Sequence, residues 1–95
     1  MKCERVVFSG HAIQRMFHRG IGRDEVQSII STGETVMEYP DDTQYPGSLP
    51  LGFGDGRPLH VVVAWDGETG TCIVVTAYEP TEEQWEPGFT KRRTQ

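Results

Sequence analysis

The side chains best suited to chemistry lie near the N-terminus, in the segment HAIQRMFHR at residues 11–19. His11, Arg15, His18 and Arg19 recur three or four positions apart, so they share one face if the segment is a helix. This set, the basic face, holds two guanidiniums, two imidazoles and no carboxylate. Imidazoles transfer protons near neutral pH, and guanidiniums hold phosphates and carboxylates. The residue types suit an anion site, and a solvated basic surface is the alternative.

A second polar set belongs to the apolar segments of the C-terminal half. His60 is the second residue of the segment LHVVVAW, which is expected to be a strand. Thr76 and Tyr78 share one face of the next expected strand, because side chains two apart point the same way. If the basic face lies beside them, one histidine can act as acid and another as base in metal-free phosphodiester cleavage, while arginines stabilise the charge. The candidate catalytic residues are His11, Arg15, Arg19, His60, Thr76 and Tyr78. In the alternative interpretation, His60 is a hydrogen-bonded structural residue and Thr76 and Tyr78 are ordinary strand formers.

Further basic residues are candidates for ligand binding alone. They are His18, Arg57, Arg92 and Arg93. We predict no metal and no cofactor, because His11 and His18 are two helical turns apart and no carboxylate lies between them on that face.

The basic face exists only if residues 11–19 form a helix, and the sequence predicts one there. Ala12, Ile13, Met16 and Phe17 recur at helical spacing on the other side. Ser9 is the expected N-cap and Gly20 the expected C-terminal stop. A second helix is expected from Arg23 to Thr32, ending at Gly33.

Short strands make up most of the remaining pattern. They are expected at residues 4–8, 35–39, 51–54, 59–65 and 72–78, with a loop at 40–50, a turn at 55–56 and a hairpin turn at 66–71. The order β-α-α-β-β-β-β predicts an α+β fold, with both helices packed on an antiparallel sheet of about four strands. The two most apolar strands should be its central pair. The opposite face of the sheet, or its edge beside the first helix, is expected to be free to carry a site.

Composition limits the classes of protein that fit. A chain of 95 residues forms one small domain, which we place at residues 1–79, followed by a C-terminal extension at 80–95 whose Trp85 and Phe89 are possible docking anchors. No apolar run has the length of a membrane span, and the N-terminus lacks a secretory pattern, so we expect a cytoplasmic protein without a membrane partner. Cys3 and Cys72 are then expected to be buried thiols, with a disulfide or metal pair as the less favoured alternative.

Charge is unevenly distributed along the chain. The net charge is −5, but residues 1–33 carry five bases and three acids, whereas residues 34–95 carry four bases and eleven acids. An acidic protein is a poor general binder of nucleic acid, although a local basic patch still attracts an anion.

Several motifs together resemble a bacterial and phage family, domain-of-unknown-function family 4258. They are Ser9-Gly10-His11-Ala12, Arg15-Met16, Arg19-Gly20-Ile21, Asp24-Glu25-Val26, Arg57-Pro58-Leu59-His60-Val61-Val62, Val75-Thr76-Ala77-Tyr78, Pro80, Trp85 and Lys91-Arg92-Arg93. The resemblance spans nearly the whole chain. The family looks related to the RelE-type toxin fold of metal-independent endoribonucleases. That relation implies RNA cleavage by the six candidate catalytic residues, with RNA as substrate and an antitoxin as a possible partner. The alternative is a non-catalytic module of the same fold that binds a protein partner or a small anionic ligand.

Overall fold

A computed structural model describes residues 3–40, 45–54 and 56–94. The elements, in chain order, are β1 (Arg5–Phe8), α1 (Gly10–Arg19), α2 (Arg23–Thr32), β2 (Glu34–Tyr39), β3 (Gly47–Gly54), β4 (Arg57–Asp66) and β5 (Thr71–Tyr78). The predicted α+β class and the order β-α-α-β-β-β-β are confirmed. None of the helices in these ranges is long and apolar enough to cross a membrane.

The sheet has one more strand than predicted. Its spatial order is β1-β5-β4-β3-β2, and the four later strands pair antiparallel as expected. β1 adds a fifth strand and pairs parallel with β5, with Val6 opposite Cys72. The connection through α1 and α2 carries the chain from β1 at one edge to β2 at the other, so β1 needs no hairpin partner.

Helix α1 begins and ends where the sequence predicts. The Ser9 hydroxyl accepts a hydrogen bond from the backbone N–H of Ala12, and Gly20 adopts the left-handed conformation with a φ of 66°. Ala12 and Met16 are buried against the sheet, but Ile13 is 39% exposed and Phe17 is 84% exposed. Two of the four apolar residues on this side of α1 are therefore buried, and the helix packs mainly on β5.

The core lies between the two helices and one face of the sheet. β4 supplies Leu59, Val61 and Val63, and β5 supplies Val74 and Ala77. β4 is the middle strand and β5 lies beside it, which confirms the predicted central pair. From α2, Val26 and Ile29 are buried in the same core.

The segment predicted as a loop at 40–50 contains the start of a strand. β3 begins at Gly47, and Pro50 lies within it opposite Thr35. A proline cannot donate a ladder hydrogen bond, and here the pairing register with β2 shifts between Thr35 and Met37. This irregularity is where a strand tolerates proline. The rest of the predicted loop at 41–44, and Asp55 of the predicted turn, lie outside the described residues.

The expectation of two buried thiols is wrong, because Cys3 and Cys72 form a disulfide with a Cα–Cα distance of 5.4 Å. The parallel pairing of β1 with β5 places the residues before β1 next to the start of β5. Cys3 and Cys72 are 69 positions apart in sequence, and local patterns carry no signal for this approach.

Candidate functional site

The basic face is present on α1 and is open to solvent. His11, Arg15, His18 and Arg19 are all exposed. Within residues 3–40, 45–54 and 56–94, no hydrogen bond or ion pair joins His11, Arg15 or His18 to another side chain. The exposed Phe17 ring lies edge-on to the His18 ring, with centroids 6.1 Å apart. Among the described residues, this surface therefore presents two guanidiniums and two imidazoles that have no ion pair with an acidic side chain.

Arg19 connects the basic face to the end of β5. One of its Nη atoms donates to the carbonyl oxygen of Ala77 at 2.8 Å. A guanidinium has five N–H donors in a fixed planar arrangement, so this bond orients the group and leaves other donors for a ligand.

Arg57, at the start of β4, is held against the end of α1. Its guanidinium donates to the carbonyl oxygens of Arg19 at 3.3 Å and Gly20 at 2.6 Å. A cation here offsets the negative end of the helix dipole and satisfies carbonyls that lack helical partners. Glu25 and Glu79 lie at ion-pair distances of 4.0 and 3.9 Å, so part of the charge of Arg57 is balanced.

A cavity of about 380 Å³ lies beside these two arginines. Its lining residues are Arg19, Ile21, Arg57, Tyr78 and Glu79. Two guanidiniums and a phenol are suited to an anionic group, whereas the Glu79 carboxylate opposes one. The cavity continues the basic face, because Arg19 follows Arg15 by one helical turn.

His60 faces away from this helix-covered side of the sheet. Its neighbours Leu59 and Val61 point into the helix-covered core, so His60 points to the opposite face. It is fully buried there, under the described part of the C-terminal extension (residues 80–94). Nδ1 lies 3.3 Å from the Tyr78 hydroxyl, Nε2 lies 2.8 Å from the carbonyl oxygen of Phe89, and the Trp85 ring packs edge-on at 4.4 Å. The expectation that this face would be free is wrong around His60.

Burial shifts the proton affinities of the His60–Tyr78 pair. Desolvation lowers the pKa of His60 below its ordinary value, partly offset by the hydrogen bond to the Phe89 carbonyl. Desolvation raises the pKa of Tyr78, and Tyr39 raises it further, while Arg92 acts in the opposite direction. Both shifts favour the neutral forms, as expected for a hydrogen-bonded pair enclosed by aromatic rings.

The predicted site residues thus fall into separate groups. Arg19 and Tyr78 line one cavity together with Arg57, and Tyr78 also contacts His60. Thr76 pairs with Val62 across the β4–β5 ladder and is half-buried. No described contact joins His11 to His60, which project to opposite sides of the sheet. The catalytic roles assigned from the sequence remain predictions.

The C-terminal cations lie within the C-terminal extension. The Arg92 guanidinium is 5.6 Å from the centre of the Trp85 ring, and Arg93 donates to the carbonyl oxygen of Glu82. A shallow cavity there is lined by Glu83, Gln84, Arg92 and Arg93, which are one acid, one amide and two bases. Both arginines support the turns of the extension, and their ligand-binding role also stays a prediction.

Two groups that contact the predicted site residues were not predicted from the sequence. Glu79 lines the cavity because it directly follows Tyr78 at the end of β5. Its position next to a predicted site residue is the signal in the sequence that could have indicated it. The Phe89 carbonyl is a backbone group, which no residue type reveals. In the described residues no group of three or more His, Cys, Asp or Glu side chains is placed to hold a metal ion.

Comparison with known families adds one assignment. The family described as "Domain of unknown function (DUF4258)" matches residues 8–79. This match covers most of the chain, and the chain belongs to that family. The matched segment contains α1, both central strands and Tyr78, and it ends before the C-terminal extension. No curated protein and no solved structure matches the chain.

Proposed function

We propose that this protein is a binding module that recognises an anionic ligand through the basic face of α1 and the adjoining Arg19–Arg57 cavity. The observation that carries the proposal is the exposure of His11 and Arg15 without an acidic partner among the described residues, next to two arginines fixed by backbone carbonyls. Preorganised guanidiniums bind phosphate or carboxylate at a lower entropic cost than mobile ones.

The enclosure of His60 favours binding over catalysis. A general acid or base must lie within hydrogen-bond reach of the reacting group. Both ring nitrogens of His60 already have partners, and the side chain has no exposed surface. The accessible candidates, His11, Arg15 and Arg19, suffice for anion binding without His60.

The proposal is tested by titrating the protein with inorganic phosphate and following backbone amide chemical shifts by NMR. We expect saturable shifts confined to α1 and to the ends of β4 and β5. Arg15→Gln should weaken binding about tenfold, as expected for the loss of one charge-assisted hydrogen bond.

Arg23→Gln is the matched control, since Arg23 is an exposed arginine on α2 that lies over the Phe8 ring. It removes the same charge without touching the basic face. If both substitutions weaken phosphate binding equally, the loss reflects the net charge of the protein, and this result would contradict a site on α1.

RNA cleavage is the second candidate, and the exposed Phe17 beside the basic face favours it. Aromatic rings next to cations bind single-stranded nucleic acids by stacking on the bases. A relation to RelE-type toxins would add a metal-independent endoribonuclease activity, an antitoxin partner and a bacterial cytoplasmic setting. Purified protein incubated with RNA tests this: cleavage lost in both His11→Ala and His60→Ala supports it. Intact RNA, with phosphate still bound, excludes it and leaves the binding module.

A further inference from the structure

The C-terminal extension, residues 80–94, is built as a self-contained unit. The backbone N–H of Trp85 donates to Thr81, that of Glu86 to Lys91, and that of Arg93 to Gln84, with Trp85 and Arg92 forming a β-bridge. Among the described residues, every backbone–backbone hydrogen bond of the extension has both ends inside it. The extension can therefore move without breaking the ladder of the sheet.

Side chains make the described attachments to the body of the domain. His60 bonds the Phe89 carbonyl at 2.8 Å, and the Trp85 ring, only 2% exposed, packs on the His60 ring. Both described attachments involve His60, so opening of this one region frees the extension while the pairing of the sheet is kept, which is the geometry of a local opening.

The attachment point also carries backbone strain. Phe89 has a φ of 60°, the one positive φ of a non-glycine residue in the part of the chain that the structure describes. An aromatic residue rarely adopts this conformation, and strain of this kind persists where surrounding contacts hold it. The strained residue is the one whose carbonyl meets His60, so release of that contact also relieves the strain.

We propose that residues 80–94 act as a displaceable strap that covers His60, and that its release exposes His60 beside Tyr78 while the sheet stays folded. His60 lies on the face of the sheet opposite the helices, and Tyr78 connects it to the Arg19–Arg57 cavity, so release would extend this polar surface by one imidazole. The inference rests on the docking geometry of the extension and is independent of the anion-binding proposal.

The test compares local opening with global unfolding in the intact, full-length protein. Backbone amide exchange is measured by NMR, and histidine modification by diethylpyrocarbonate is measured by mass spectrometry. We expect the amides of Trp85, Glu86 and Arg93 to exchange at least about tenfold faster than buried amides of β4 such as Val61. The exposed His11 and His18 should be modified first, and His60 at the opening rate of the strap. Exchange of the strap only together with β4, and modification of His60 only upon global unfolding, would overturn the proposal.

Trp85→Ala provides an independent arm. It should raise the modification rate of His60 more than tenfold while the β4 amides keep their protection. Phe53→Ala is the matched control, because Phe53 is an aromatic residue of β3 that is 66% exposed. An unchanged His60 rate in folded Trp85→Ala would count against the strap. If that variant does not fold, the amide exchange rates of the strap and of β4 in the unmodified protein still test the proposal.

Discussion

The Nε2 atom of His60 lies 2.8 Å from the carbonyl oxygen of Phe89, which joins the centre of β4 to the C-terminal extension. A carbonyl only accepts hydrogen bonds, so the neutral ring carries its proton on Nε2 and donates it there. Nδ1 is then the acceptor for the Tyr78 hydroxyl at 3.3 Å. The partners thus fix the tautomer, and both polar atoms of a fully buried ring are satisfied.

Tyr78→Phe removes the donor to Nδ1 and should destabilise the fold. A buried acceptor left without a partner costs roughly 1–3 kcal/mol, and we expect a loss of about that size in the free energy of unfolding. Chemical denaturation measures it. Tyr39→Phe is the control, because the hydrogen bond described for the Tyr39 hydroxyl is an exposed one to the Met37 sulfur at 3.5 Å, so its loss leaves no buried acceptor without a partner. Equal stabilities of the two variants would contradict this account of the His60 tautomer.

Protonation of His60 should make stability depend on pH. Because burial lowers the pKa of His60 in the folded state, the unfolded chain binds the proton more readily. The stabilising contribution is fully present above the unfolded value of about 6.5 and declines as the pH falls below it, towards the lowered folded pKa. Beside the ring, burial raises the pKa of the Tyr78 hydroxyl, so this partner of His60 stays neutral in the same pH range.

Denaturation midpoints measured between pH 8 and pH 5 test this dependence. We expect the decline below about pH 6.5 to be smaller in His60→Gln, which removes the titrating group. His18→Gln serves as the control, since it removes an exposed histidine of α1 and should retain the decline. A decline of the same size in His60→Gln would assign the pH dependence to other groups.

The elements with local signals are the ones that the sequence could predict. Ser9, the Ala12–Met16 stripe and Gly20 define α1 within a few residues, and the apolar runs of β4 and β5 identify the central strands. The basic face follows from helical periodicity alone, so the sequence predicts its exposure on α1.

The rest of the candidate site depends on contacts between distant segments. The parallel register of β1 on β5, which brings Cys3 to Cys72, has no periodic signature. Strand alternation places His60 and Tyr78 on one face, but it does not say that Trp85 and Phe89 cover that face. The contacts of the cover with His60 are a ring contact and a hydrogen bond to a backbone carbonyl, and neither leaves a pattern in the sequence.

Gly33→Ala should destabilise the junction between α2 and β2. A Cβ at this position would lie 2.5 Å from the carbonyl oxygen of Ile29 and 2.6 Å from that of Leu51. Both are backbone atoms that cannot rotate away, so we expect a loss of roughly 1–3 kcal/mol, as for other overpacked positions. Thermal unfolding measures it. Gly10→Ala is the control, because a Cβ there meets nothing within 4 Å. An equally small effect of both substitutions would show that the junction adapts.

Reduction of the Cys3–Cys72 disulfide should lower stability more than any of these substitutions. The bond closes a loop spanning 69 positions, and chain entropy predicts a loss of about 4 kcal/mol once the unfolded chain is no longer cross-linked. Thermal unfolding with and without dithiothreitol measures the difference. Cys3→Ala is the control, since it removes the bond while the fully buried Cys72 stays in the core. Its stability should match that of the reduced protein and should not respond to dithiothreitol. A wild-type protein that is equally insensitive to the reductant would contradict a stabilising bond between β1 and β5.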